Sequence, residues 1–155
     1  MNKDELESIQ QIANIHEQRI KEAIADVQHL FPLDVDKVKK FDKLSIYAIE
    51  MFTGRFAKLQ DYLGNVVFDT FFEVEGENTE TWTSIDKLNK LEKFGIIQDA
   101  HIWRNMRKSR NFLIHEYPDQ PQVIADSLNV IYDYIPILLD IKNRIFAKIF
   151  KDVEK

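Results

Sequence analysis

The stretch from Gln122 to Asp152 reads QVIADSLNVIYDYIPILLDIKNRIFAKIFKD, and its spacing decides the fold class. Ile124, Leu128, Ile131, Ile135, Leu138, Ile145 and Ile149 recur at steps of four and three, with Lys142 standing where the stripe calls for one more apolar residue. That period belongs to a helix with one buried face, not to a strand. Pro136 lies inside the stretch. Proline removes an amide donor and crowds the preceding turn, so a kink is expected there.

The same period recurs upstream. Ile9, Ala13, Ile20, Ile24 and Val27 predict a helix from about Asp4 to Leu30, closed by Phe31-Pro32. Val38, Phe41, Ala48, Phe52, Phe56, Leu59 and Leu63 predict a second from about Asp36 to Leu63, broken or kinked at Gly64-Asn65. Residues 66–74 fit either further helical turns or a short extended piece. The clearest loop is Gly76 to Thr81. Thr83, with Asp86 three residues on, resembles a capping box and opens a short helix from Ser84 to Phe94, with Gly95 placed to end it. Asp99 can cap the next helix, which runs to about Glu116, and Pro118 and Pro121 mark the turn before the last. The expected fold is all-α, an up-and-down bundle of four to five helices forming a single domain over residues 1–155.

The 155 residues contain no cysteine, so disulfides, thiolate metal sites and a cysteine nucleophile are excluded. No apolar run approaches the length of a membrane span. No apolar segment follows the opening Met1-Asn2-Lys3-Asp4-Glu5, so a secretory signal is not expected either. The expected location is the cytoplasm, with no membrane partner. The net charge is −5, which argues against a wholly cationic nucleic-acid surface. The distribution is uneven, however. Ala100 to His115 holds Arg104, Arg107, Lys108 and Arg110 and no acid at all.

That basic helix leads into Arg110-Asn111-Phe112-Leu113-Ile114-His115-Glu116-Tyr117. Arginine clamps phosphate oxygens with a planar fork, and histidine changes charge near neutral pH. On a helix, Asn111 and His115 share a face, so the amide could fix the imidazole. Arg110 and His115 lie about 140° apart around the axis. RNA could be cut by such a pair: His115 moves a proton and Arg110 stabilises the crowded phosphorus. One histidine cannot easily be both acid and base, and a two-fold dimer would supply a second. His115 could equally be a helix-terminal residue that satisfies the last carbonyls. Trp103 could stack a base or, as its spacing favours, join the core. His16 falls on the apolar stripe of the first helix and is expected to be partly buried and hydrogen-bonded, while His29 and His101 are expected in solvent. No metal and no other cofactor is expected, because these histidines stand apart from any carboxylate pair at ligand spacing.

The pattern Arg110-Asn111-x3-His115-x-Tyr117, near the end of the penultimate helix of a small helical protein, resembles the HEPN family (higher eukaryotes and prokaryotes nucleotide-binding). The likeness is to its toxin branch, which is paired with a minimal nucleotidyltransferase. The resemblance implies a metal-independent endoribonuclease that works as a homodimer. Arg110 and His115 would be the catalytic pair, with Asn111 in support. Arg104, Arg107 and Lys108 would guide RNA phosphates. A cognate nucleotidyltransferase antitoxin would silence the toxin by placing AMP on Tyr117. Other relatives imply an alternative: a non-catalytic subunit that binds a nucleotide or presents a substrate to the nucleotidyltransferase. A plain helical interaction module, docking a partner through its last helix, is a third possibility.

Overall fold

The computed structural model describes residues 1–115 and 119–154. Its first helix, α1 (Lys3–Val27), begins at a reciprocal cap: Glu5 N–H donates to Asn2 Oδ1 and Asn2 N–H to Glu5 Oε2, each at 2.9 Å. Two orphan amides are thereby satisfied by residues three apart. A short 3₁₀ turn (Gln28–Leu30) follows. The chain then turns at Phe31 to Leu33, where Asn129 accepts from Leu33 N–H and donates to Leu33 C=O, both at 2.8 Å. Phe31 also stacks flat on Tyr132, with ring centroids 4.0 Å apart.

The expected second helix is divided. α2 (Val35–Lys39) is capped by Asp34, and α3 (Lys43–Tyr62) starts anew at Asp42, whose carboxylate accepts from Ser45 N–H at 2.8 Å. Those hydrogen bonds hold the Asp42 carboxyl below its ordinary pKa, as expected for an aspartate at a helix start. At Gly64-Asn65 the chain does not break. The ladder widens into a π-turn (Leu63–Val67), with Phe68 N–H bonded to Leu63 C=O, and continues as α4 (Phe68–Val74). Residues 66–74 are therefore helical.

α5 (Ser84–Lys93) opens on the Thr83/Asp86 capping box and closes on Gly95. Gly95 has φ +74°, Ile96 N–H bonds Leu91 C=O, and Gly95 N–H bonds Glu92 C=O. Together these make a Schellman closure. α6 (Ala100–Ile114) is capped by Asp99, and α7 (Pro121–Val153) carries proline at its first position and passes through Pro136 without interruption.

Among the described residues there is no strand, and the helices pack as an all-α bundle. α1 lies along α3 and α6 along α7. Leu128, Ile131, Ile135, Leu138, Ile145 and Ile149 of α7 are buried, as their period requires. Lys142 is buried too, at 3 % exposure; it donates to Asn14 Oδ1 at 2.5 Å and to Glu17 Oε2 at 3.0 Å on α1. The gap in the stripe is thus a polar tie between the first and last helices, its charge paired as burial demands. Among the described residues, no helix is long and apolar enough to cross a membrane.

Candidate functional site

α6 presents Trp103, Arg107 and Arg110, spaced four and three residues apart, to α3, its π-turn and the start of α4. Trp103 is 4 % exposed and packs on Phe68, with ring centroids 4.7 Å apart. Its Cζ2 would lie 3.4 Å from a Cβ built on Gly64, so this approach suits a residue without a side chain. Arg107 comes next and shares a cleft with Gly64 and Asn65. Arg110 meets Asp61, its Nη2 donating to Oδ2 at 2.6 Å. As the numbers rise along α6 from 103 to 110, their partners fall from 68 to 61. The two segments therefore run antiparallel, and their seam carries the basic residues.

Arg110 is held firmly. Its side chain is 13 % exposed, Nη1 donates to Asn111 Oδ1 at 3.1 Å, and Nε is buried with no partner among the described residues. Ion pairs between partly buried groups are less screened than those in open solvent. The Asp61 carboxylate is 44 % exposed. It can therefore orient the guanidinium from the surface.

The helix ends at Ile114, and His115 is its C-cap, with its N–H donating to Asn111 C=O at 3.3 Å. The link between Asn111 and His115 is thus through backbone, whereas the Asn111 side chain serves Arg110. The His115 ring is exposed and has no hydrogen-bond partner among the described residues. Arg110 and Asn111 are therefore joined directly, and no hydrogen bond ties either side chain to the imidazole. Tyr117 lies outside the described residues.

The three further cations do not form one track. Arg104 and Arg107 line the cleft at the π-turn together with Lys87 and the first turn of α5. Lys108 lines a shallower hollow with His101, Asn105 and Tyr134, which Arg104 also touches. Arg104 Nη2 lies 3.3 Å from His101 Nδ1. Trp103 is core, and His29 and His101 are exposed, as their positions suggest.

Two partners escape a reading of the sequence. Asp61 is 49 residues from Arg110, and nothing in its neighbourhood marks it. His16 is half-buried on α1, as its place on the stripe predicts, but its ring lies 5.3 Å from that of Tyr62 on α3. Burial first, then the charges of Arg19, Lys58 and Arg55, push its pKa below the usual histidine value. Burial raises that of the Tyr62 phenol. His16 packs by ring contact, and no hydrogen bond to its side chain is found among the described residues. Nor is any group of three or more His, Asp or Glu there placed to hold a metal ion.

No protein-family model matches the chain, and neither the curated proteins nor the solved structures contain a match.

Proposed function

We propose that this chain is an endoribonuclease of the HEPN toxin kind, with Arg110 and His115 as its catalytic residues. The observation that carries the reading is the state of Arg110: a guanidinium fixed by Asp61 and Asn111 at the α3–α6 seam, five residues before an exposed imidazole. Preorganised cations aimed at a developing charge are the largest single source of catalysis in many enzymes. An unpartnered histidine is free to move a proton.

The chemistry follows from those groups. His115 takes the proton from an RNA 2′-hydroxyl, and that oxygen attacks the adjacent phosphorus. The bond to the 5′-oxygen breaks, and that oxygen leaves with a proton from a second imidazole. Arg110 bears on the non-bridging oxygens through the N–H groups that Asp61 and Asn111 do not take, while those two hold it in place. A second copy of the chain supplies the second His115 in a two-fold arrangement. Arg104, Arg107 and Lys108 flank the path and attract the RNA backbone. In the same reading Tyr117, two residues past the histidine, is the position at which a partner nucleotidyltransferase attaches AMP, closing the cleft by charge and bulk.

The test is cleavage of a fluorescently labelled single-stranded RNA by chelator-treated protein. Wild type should cut. His115→Ala and Arg110→Ala should each slow cleavage by roughly 10²-fold or more. Cleavage by His115→Ala at the wild-type rate would remove the catalytic assignment.

A further inference from the structure

The cleft between the π-turn, α5 and α6 has the features of a binding site in its own right. It encloses about 360 Å³, within the range of small-molecule sites. Its floor is apolar, built from Phe68, Leu88 and Trp103, all at least nine-tenths buried. Arg104 and Arg107 stand on one wall, and neither has a carboxylate partner among the described residues. Lys87 of α5 also lines it, held by Asp69 at 2.7 Å. On a protein of net charge −5, a hollow with three cations and one acid is a local inversion of sign.

Two backbone features point the same way. The capping box satisfies the amides of Thr83 and Asp86 and leaves those of Ser84 and Ile85, which line the cleft, without a partner among the described residues. They add amide donors to the wall that already holds Lys87. Gly64 lets the opposing backbone come close without a side chain in the way. Single π-turns inside α-helices are often found at functional sites.

We propose that this cleft binds a small organic phosphomonoester: its phosphate lies between Arg104, Arg107 and the first turn of α5, and its flat apolar body rests on Phe68, Leu88 and Trp103. A dianion suits two guanidinium groups that have no carboxylate partner among the described residues better than the single charge of a phosphodiester does. The buried apolar floor suits a compact ligand with a flat apolar body. The site does not need Arg110 or His115, since neither residue lines it, but it gives Arg104 and Arg107 a ligand of their own in place of the RNA backbone.

Phenyl phosphate is the direct probe, with inorganic phosphate and dimethyl phosphate as comparisons, followed by calorimetry and by amide shifts of Asn65, Ser84 and Ile85. Phenyl phosphate should bind saturably and more tightly than inorganic phosphate, and dimethyl phosphate should bind least. Arg104→Ala and Arg107→Ala are exposed substitutions that should leave the fold intact. Each should weaken phenyl phosphate by about tenfold, the loss of one charge-assisted contact. Lys93→Ala, an exposed cation outside the cleft, should change nothing. The proposal is overturned if wild type shows no saturable binding up to about 10 mM, well above ordinary weak affinities. It is equally overturned if the double variant Arg104→Ala/Arg107→Ala binds as wild type does. Arg110→Ala and His115→Ala should leave phenyl phosphate binding unchanged, and an oligonucleotide that shifts the Ser84 and Ile85 amides as phenyl phosphate does would overturn the assignment to a small ligand.

Discussion

Arg110 is 13 % exposed, with Asp61 on one side and Asn111 on the other. Its importance was legible in the sequence, because a cation, an amide and an imidazole within six residues are a recognisable set. The partnership was not. At four-residue spacing Asn111 would reach His115 if the helix ran on. It stops at Ile114, so the imidazole leaves the face that the four-residue spacing predicts, and Asn111 turns to the adjacent guanidinium. Asp61 could not be foreseen, since only the antiparallel packing of α3 and α6 brings it to Arg110. His16 supplies a prediction at the same scale. Its folded-state pKa lies below the ordinary 6.5, so the unfolded chain takes up the proton first as pH falls. The stability contributed by the neutral ring is fully present above about pH 6.5 and is lost as pH falls through the folded value. Denaturant midpoints should therefore decline below pH 6.5, and His16→Gln should flatten that decline. An unchanged slope in the variant would show that other groups govern it.

At the scale of elements, the stripes and stops read well. The Thr83/Asp86 cap, the Gly95 closure, the Asp99 cap and the α7 stripe follow from local chemistry that neighbours do not override. Two features were overridden. The apolar period runs unbroken through Val38, Phe41 and Leu44, which conceals the restart at Asp42, yet its side chain competes for the amide ladder and starts a new helix there. Gly64-Asn65 looks like a stop, but Leu63, Val67 and Phe68 on either side are buried and hold the chain helical through a widened turn. Glycine supplies a paired test of the element account. Gly95 sits at φ +74° and Gly54 lies within α3, and an added Cβ meets nothing within 4 Å at either. Only backbone preference differs. Gly95→Ala should destabilise by about 1 kcal/mol and Gly54→Ala should stabilise by about 0.5–1 kcal/mol, read by urea denaturation. The same sign for both would contradict the closure at Gly95.

For the whole molecule, the division of charge matters more than its total. All 26 acids lie outside the segment from Ala100 to His115, and its four cations are spread over one helix flank. The bundle sorts them: Arg110 to the seam with Asp61, Arg104 and Arg107 to the cleft, Lys108 to a shallower hollow near α7. The all-α class was legible because nearly every long segment shares one period. This sorting was not, because it depends on which helices become neighbours. An acidic body with cations gathered on one helix suits a protein that engages a few phosphates at one place. The proposed ribonuclease uses the first of these positions.

Attack by a 2′-hydroxyl fixes which ends the products carry, so the most direct measurement is end-group analysis of an RNA cut by chelator-treated protein. Fragments should carry a 2′,3′-cyclic phosphate, or its hydrolysed monoester, on one side and a 5′-hydroxyl on the other, and should vanish with His115→Ala. Fragments ending in a 3′-hydroxyl and a 5′-phosphate, or an intact substrate, would contradict the assignment of Arg110 and His115.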